Sequence, residues 1–265
     1  MVGQVEFAQL DIGRVVSRTF STLGGNFFSF FLLGILFGGL PTVAVQFAVQ
    51  RFITPELVGS LDPALLNVLP AILGLGTFMI LLLPAYILVG AITHGAIVYL
   101  NGKRASIGEC LGTGFSRMLP LIGLGLLSTL GIFLGILFFV IPGIMIATRW
   151  AVAAPALVAE RTGVMDALGR SAELARNNRW RIFWLLIIWS ILNFILDFAF
   201  GNITTLLSGA LVQFGDNAIW AYMALFSMYS AVGAMIPAAG SAALYTELRT
   251  IKEGASTEDL AKFFD

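Results

Sequence analysis

The sequence predicts an all-α polytopic membrane protein with six transmembrane helices, and three observations carry that reading. Of 265 residues, 58% are apolar and only 11% charged, where soluble domains hold about 25% charged residues. Six runs are apolar for the roughly 20 residues that a helix needs to cross ~30 Å of hydrocarbon. The alternating ten-residue strands of a transmembrane barrel are absent, and hydrocarbon satisfies no exposed backbone group, so the runs must be helices.

The same arithmetic excludes a soluble globular enzyme, a disordered chain and a nucleic-acid binder. Fifteen cationic and fifteen acidic side chains give zero net charge, so no basic field exists to hold a phosphate backbone. Cys110 and His94 are the only residues of their types. That leaves no disulfide and no multi-histidine metal centre, and no cofactor is expected. Both read as packing residues.

The chain reads as one integral membrane domain, 1–265. About 25 residues with Glu6, Asp11, Arg14 and Arg18 come before the first span, 27–49, which is too long for a signal h-region and is expected to stay in the mature protein. The second apolar segment, Val68–Leu100, would reach about 50 Å as one helix. It is strongly tilted, or bends at Pro84, or begins with Leu65–Leu75 on the outer surface. The favoured division is a surface helix first and a span at 77–99. The remaining spans are 119–141, 143–159, 180–206 and 218–245.

Orientation follows from the cations. Arg14, Arg18, Lys103, Arg104, Arg117, Arg161, Arg170, Arg176, Arg179, Arg181, Arg249, Lys252 and Lys262 fall on one side of a six-span chain. Only Arg51 falls on the other, because the 207–217 loop holds Asp216 and no cation. Both termini are therefore expected in the cytoplasm. Tyr99, Trp180 and Tyr245 then fall at the inner interface and Trp220 at the outer, where amphipathic rings prefer to sit.

Amphipathic segments at 11–24, 106–118 and 163–177 are expected to lie along the cytoplasmic surface. Asp11 can cap the first, with Ile12, Val16, Thr19, Phe20 and Leu23 as its apolar face. Ser106 and Glu109 have capping-box spacing for the second, whose apolar face is Ile107, Leu111, Phe115 and Met118. Thr162 or Gly163 opens the third, with Met165, Leu168, Ala172 and Ala175 apolar. Each leads into two spans, which reads as three copies of a surface helix plus a hairpin. Gly34–Gly38 and Gly131–Gly135 have the small-xxx-small spacing of close helix contacts, although 29 glycines make that spacing common.

Ionisable residues inside a membrane are costly and mark something. Arg149 lies six residues into span four, ~9 Å from its outer end, and Asp197 lies ~25 Å along span five from Trp180. Similar depth in the outer leaflet leads to the expectation that Arg149 and Asp197 face each other, with Asn193 one turn away and Ser190 another. Such a group either locks two helices together or forms an anion site, since the helix starting at Pro142-Gly143 also attracts negative charge.

From Pro142 to Trp180 the chain carries Pro142-Gly143-Ile144, Arg149, Pro155, Val158, Glu160, Ala167-Leu168, Arg170-Ser171, Leu174 and Trp180. This stretch resembles the YciC-like bacterial membrane proteins and the membrane domain of some glycerophosphodiester phosphodiesterases. The resemblance implies a six-helix bacterial inner-membrane protein without an assigned activity, with Pro142, Gly143, Pro155, Arg170, Ser171 and Trp180 as its signature and Arg149 and Ser171 as signature residues of a structural kind. Asn177-Asn178 stands where relatives often carry glycine before the tryptophan.

No nucleophile–base pair, paired carboxylates or phosphate-cradling loop is visible. The expected function is thus non-enzymatic: a structural, accessory-subunit or membrane-homeostasis role with membrane lipids, and other membrane subunits, as partners. The alternative is a transporter or lipid-handling protein with a headgroup site near Arg149.

Overall fold

In the computed structural model the described residues are 9–211 and 217–254. Glu6, Asp216 and Lys262 lie outside them. Among the described residues the chain is all-helical, and six helical segments are long and apolar enough to cross a membrane. Large apolar side chains stay exposed around the bundle (Phe28 at 76%, Phe138 at 75%, Leu206 at 80%), an outer surface suited to hydrocarbon and not to water.

Helix α1 (Ile12–Gly25) is capped by the Asp11 side chain, which accepts from the Arg14 N–H. Its buried stripe is Val15, Thr19 and Thr22, whereas Phe20 is exposed. The two threonines fit that stripe because their hydroxyls donate to the carbonyls of Val15 and Arg18 one turn back. Helix α2 (Phe27–Gly34) continues through a π-helical turn, Ile35–Gly39, into α3 (Leu40–Phe52). Pro41 supplies the reason, since it has no N–H for the carbonyl four residues back and its ring crowds that carbonyl. The Leu40 N–H bonds instead to the Ile35 carbonyl, five residues back.

The π turn re-aims the glycines. Gly34 and Gly39, five apart, both meet helix α11 (Asn217–Arg249): a Cβ on Gly34 would sit 2.8 Å from the Ala231 Cα, and one on Gly39 2.7 Å from the Ser227 Cα. Gly38 faces Leu88 most closely, its Cβ position 3.3 Å from that side chain and only in ordinary contact, 3.8 Å, with Ser230 of α11. The Gly34–Gly38 spacing thus holds for an uninterrupted α-helix and fails here by one residue.

A short helix α4 (Pro55–Ser60), capped by Thr54, leads to α5 (Pro63–Leu100). The separate surface helix expected at Leu65–Leu75 does not form. One helix of 38 residues runs through, with Pro70 and Pro84 inside it. Each proline removes one hydrogen bond without ending the helix, and the leucine-rich sequence between them offers no cap.

Helix α6 (Ile107–Phe138) likewise absorbs the segment expected as a second surface helix. The capping box is present: Ser106 Oγ accepts from the Glu109 N–H, and Glu109 accepts from the Ser106 N–H. The face that packs is Cys110, Gly114, Leu121 and Leu124, while Phe115 is exposed. The small residues decide this, because Gly114 lets its helix approach the Ile87 carbonyl of α5 and a Cβ there would sit 2.5 Å away. Surface helices separate from the spans are α1 and α9 (Val164–Leu174), so the reading of three like units loses its middle member.

Phe139, in extended conformation, turns α6 back into α7 (Val140–Arg149). A Cβ on Gly135 would lie 2.8 Å from the Gly143 Cα, and one on Gly131 2.4 Å from the Trp150 ring. The Gly131–Gly135 pair therefore does admit a neighbouring helix. Helix α8 (Ala153–Glu160) follows after a break, and α10 (Arg179–Leu211) and α11 complete the bundle. The expected fourth span is thus two helices, not one. A second π turn, Thr250–Gly254, extends α11.

Candidate functional site

The break between α7 and α8 has a specific clasp. Residues 150–152 leave helical geometry, which frees backbone groups on both sides. The Ser171 hydroxyl, fully buried on α9, donates to the Arg149 carbonyl at 2.8 Å and accepts from the Val152 N–H at 3.2 Å. One side chain thereby satisfies both sides of the interruption. Pro142 and Pro155 are the third residues of α7 and α8, where a helix has no use for the missing N–H. Pro155 in the first turn of α8 and the Ser171 clasp belong to one device, a helix broken at a fixed place, whereas Pro142 sits at the α6–α7 turn.

The break opens onto a central cavity of about 510 Å³. Its walls come from α2–α3 (Phe37, Gly38, Thr42), α5 (Leu81, Tyr86, Leu88), α6 (Leu121, Leu124, Ser128), the break (Trp150, Ala151, Ala154) and α11 (Ser230, Ala234, Ala238). The Thr42 hydroxyl is spent on the Gly38 carbonyl of its own helix. Among the described residues Tyr86, Ser128 and Ser230 have no hydrogen-bond partner in the protein, and all three are half-buried. The result is an apolar chamber with a few hydroxyls, within the roughly 300–1,000 Å³ of small-molecule sites.

One end of the bundle is tied by charges. Glu247 on α11, 1% exposed, accepts from Arg14 at 2.9 Å and from Arg18 at 2.6 Å. Arg170 on α9 binds Glu160 at 2.9 Å, Glu173 at 3.4 Å, and Glu253. Its guanidinium is held above the usual arginine pKa, first by the hydrogen bond it donates to Glu160. Tyr245 donates to Glu160 at 2.9 Å, and Arg249 binds Glu253 at 2.6 Å. Tyr245 is therefore a core residue, 1% exposed, and not an interfacial anchor. Arg181 donates to the Leu10 carbonyl, while the Leu10 N–H donates to Asn178. Sequence reasoning missed Glu247. The available signal was an acid at the end of an apolar span and two cations one turn apart on α1, of which Arg14 alone has an acid one turn away, Asp11 at 3.8 Å.

The expected Arg149–Asp197 pair does not form. Arg149 is exposed, and its carbonyl is held by Ser171 eight residues before α10 begins. Asp197 lies eighteen residues into α10, ~27 Å along it, and accepts from Tyr229. The depth argument assumed an unbroken fourth span, whereas α7 packs against the first turns of α10. Asn193 and Ser190 donate to the carbonyls of Trp189 and Leu186 on their own helix, so the polar stripe of α10 is consumed locally. His94 is half-buried. No group of three metal-ligating side chains occurs among the described residues.

The model of an uncharacterised protein family, UPF0259, matches residues 43–229, from α3 through the break to the middle of α11. The chain belongs to this family. UPF0259 membrane proteins of Yersinia pestis (strain Pestoides F) and of Yersinia pseudotuberculosis serotype O:3 (strain YPIII) are 30% identical over 151 residues, 57% of this chain. The chain spans 59% of the length of these relatives. No solved structure matches it. The UPF0259 match carries the coarser part of the sequence resemblance: a bacterial family of membrane proteins, with the break, its clasp and much of the cavity wall inside the matched region.

Proposed function

We propose that this UPF0259 protein is a non-enzymatic, lipid-handling protein of the bacterial inner membrane, with both termini in the cytoplasm. Its central cavity takes one acyl chain of a membrane lipid. The observation that carries the reading is the cavity itself: about 510 Å³ beside a helix break, walled by Phe37, Leu81, Leu88, Leu124 and Trp150. Half-buried lining residues give it contact with the surroundings, and in a bilayer the surrounding medium is hydrocarbon. Tyr86, Ser128 and Ser230 offer hydroxyls of the kind that meet an ester group at the head of a chain. The cytoplasmic placement rests on the cation count, and Arg14, Arg18, Arg170, Arg181, Arg249 and Lys252 do gather at one end. The YciC-like likeness supports the inner-membrane placement alone, and a role as an accessory subunit alongside other membrane proteins is compatible with this reading.

A phospholipid with a photoreactive group in its acyl chain, incorporated with the purified protein in nanodiscs, tests the proposal. Crosslinks are expected on peptides containing Tyr86 and Trp150–Ala154. Ala154→Trp, which fills the cavity, should remove them by about tenfold while leaving crosslinks at the outer residues Phe133 and Phe198. Crosslinks confined to those outer residues in the wild type would overturn the reading.

A further inference from the structure

A second concavity lies on the other side of α7. It holds about 610 Å³ between α7 and the turn that leads into α10. Its polar part is Arg176, Asn177 and Arg179; its apolar part is Ile144, Met145 and Phe183, with Trp180 beside them. Arg176 and Arg179 have no carboxylate within ion-pair distance among the described residues, unlike Arg14, Arg18, Arg170 and Arg249 nearby. Glu173, the acid closest in sequence, is engaged by Arg170. Asn177 holds a left-handed backbone, φ 71°, in a tight turn between the buried Ala175 and Asn178, with Arg176 exposed and Arg179 half-buried beside it. Trp180 is 77% exposed, the placement of an interfacial ring.

The geometry points to a binding site for one anionic phospholipid, its phosphate between Arg176 and Arg179 and its first acyl segments on Ile144, Met145 and Phe183. Two arginines with no ion-paired carboxylate among the described residues select net negative charge, and no carboxylate lines the groove to receive a choline or ethanolamine group. The apolar wall explains why the ligand is a lipid. From Thr148 to Ile141 the α7 face runs ~10 Å, and free phosphate would leave that surface uncovered. This groove shares no lining residue with the central cavity, so the site stands or falls apart from the function proposed for that cavity.

Native mass spectrometry of the full chain with phosphatidylglycerol and phosphatidylcholine supplies the test. Wild type is expected to retain phosphatidylglycerol preferentially. Arg176→Gln with Arg179→Gln should weaken it about tenfold or more, with phosphatidylcholine unchanged and with Arg104→Gln, outside the groove, indistinguishable from wild type. Ile144→Trp keeps both cations but fills the groove, and should lower binding as well. If the double variant does not fold, this variant and single Arg176→Gln, an exposed residue, carry the test. Four results would each overturn the proposal. They are equal retention of both lipids, unchanged binding in the arginine and Ile144 variants, displacement by millimolar inorganic phosphate, and a rise in binding on Glu258→Gln with Asp259→Asn. The last would make the chain's own acidic tail the occupant.

Discussion

Exchanging both Arg14 and Arg18 for glutamine is expected to destabilise the protein by about 3 kcal/mol or more, the range for stranding a buried charge. Glu247 is 1% exposed, whereas the two arginines are 56% and 39% exposed. The cost is therefore asymmetric. Removing the cations leaves a carboxylate inside α11 with no solvent and no counter-charge. Glu247→Gln, by contrast, leaves two arginines that already reach water, and should cost about half as much or less. Thermal unfolding in mild detergent reads the order: the double variant lowest, Glu247→Gln between it and wild type. Equal midpoints for the two would show that Glu247 is solvated and that α1 is not anchored through it.

Ser171→Ala is expected to cost about 2–4 kcal/mol, because it strands two buried backbone groups at once, the Arg149 carbonyl and the Val152 N–H, at about 1–3 kcal/mol each. Ser190→Ala serves as the comparison. Its hydroxyl bonds back to Leu186 on an exposed helix face, and the change should stay within about 0.5 kcal/mol. Hydrogen exchange locates the effect: amides of residues 150–153 should lose protection in the Ser171 variant and keep it in the Ser190 variant.

The helical membrane class was legible because the bilayer imposes length and apolarity on every span, and those are properties of runs of residues. The caps at Asp11 and Ser106 were legible for a similar reason, being local. What was not legible depends on partners distant in sequence. Pro41 could be seen, but its consequence, a π turn that moves the contact glycines to Gly34 and Gly39, appears only against Ala231 and Ser227. The α7–α8 break is announced by Pro155, which has no N–H for the Ala151 carbonyl four residues back, but Pro70, Pro84, Pro120 and Pro237 lie inside unbroken helices and blunt that signal. The break exists because Ser171, nineteen residues past Val152, satisfies it. Once that break was missed, Arg149 and Asp197 were assigned equal depth, and a pairing followed that the helices cannot make. The central cavity shares this origin, since its wall at Trp150 and Ala151 is the break itself.

The broken fourth span is what would keep the chamber open to a lipid tail. High-resolution imaging of the protein in lipid nanodiscs examines this directly. It should reveal an elongated non-protein density among Phe37, Tyr86 and Trp150, with the Ser171 clasp intact. A single straight helix from Val140 to Glu160, with the Trp150 ring filling the space, would contradict it.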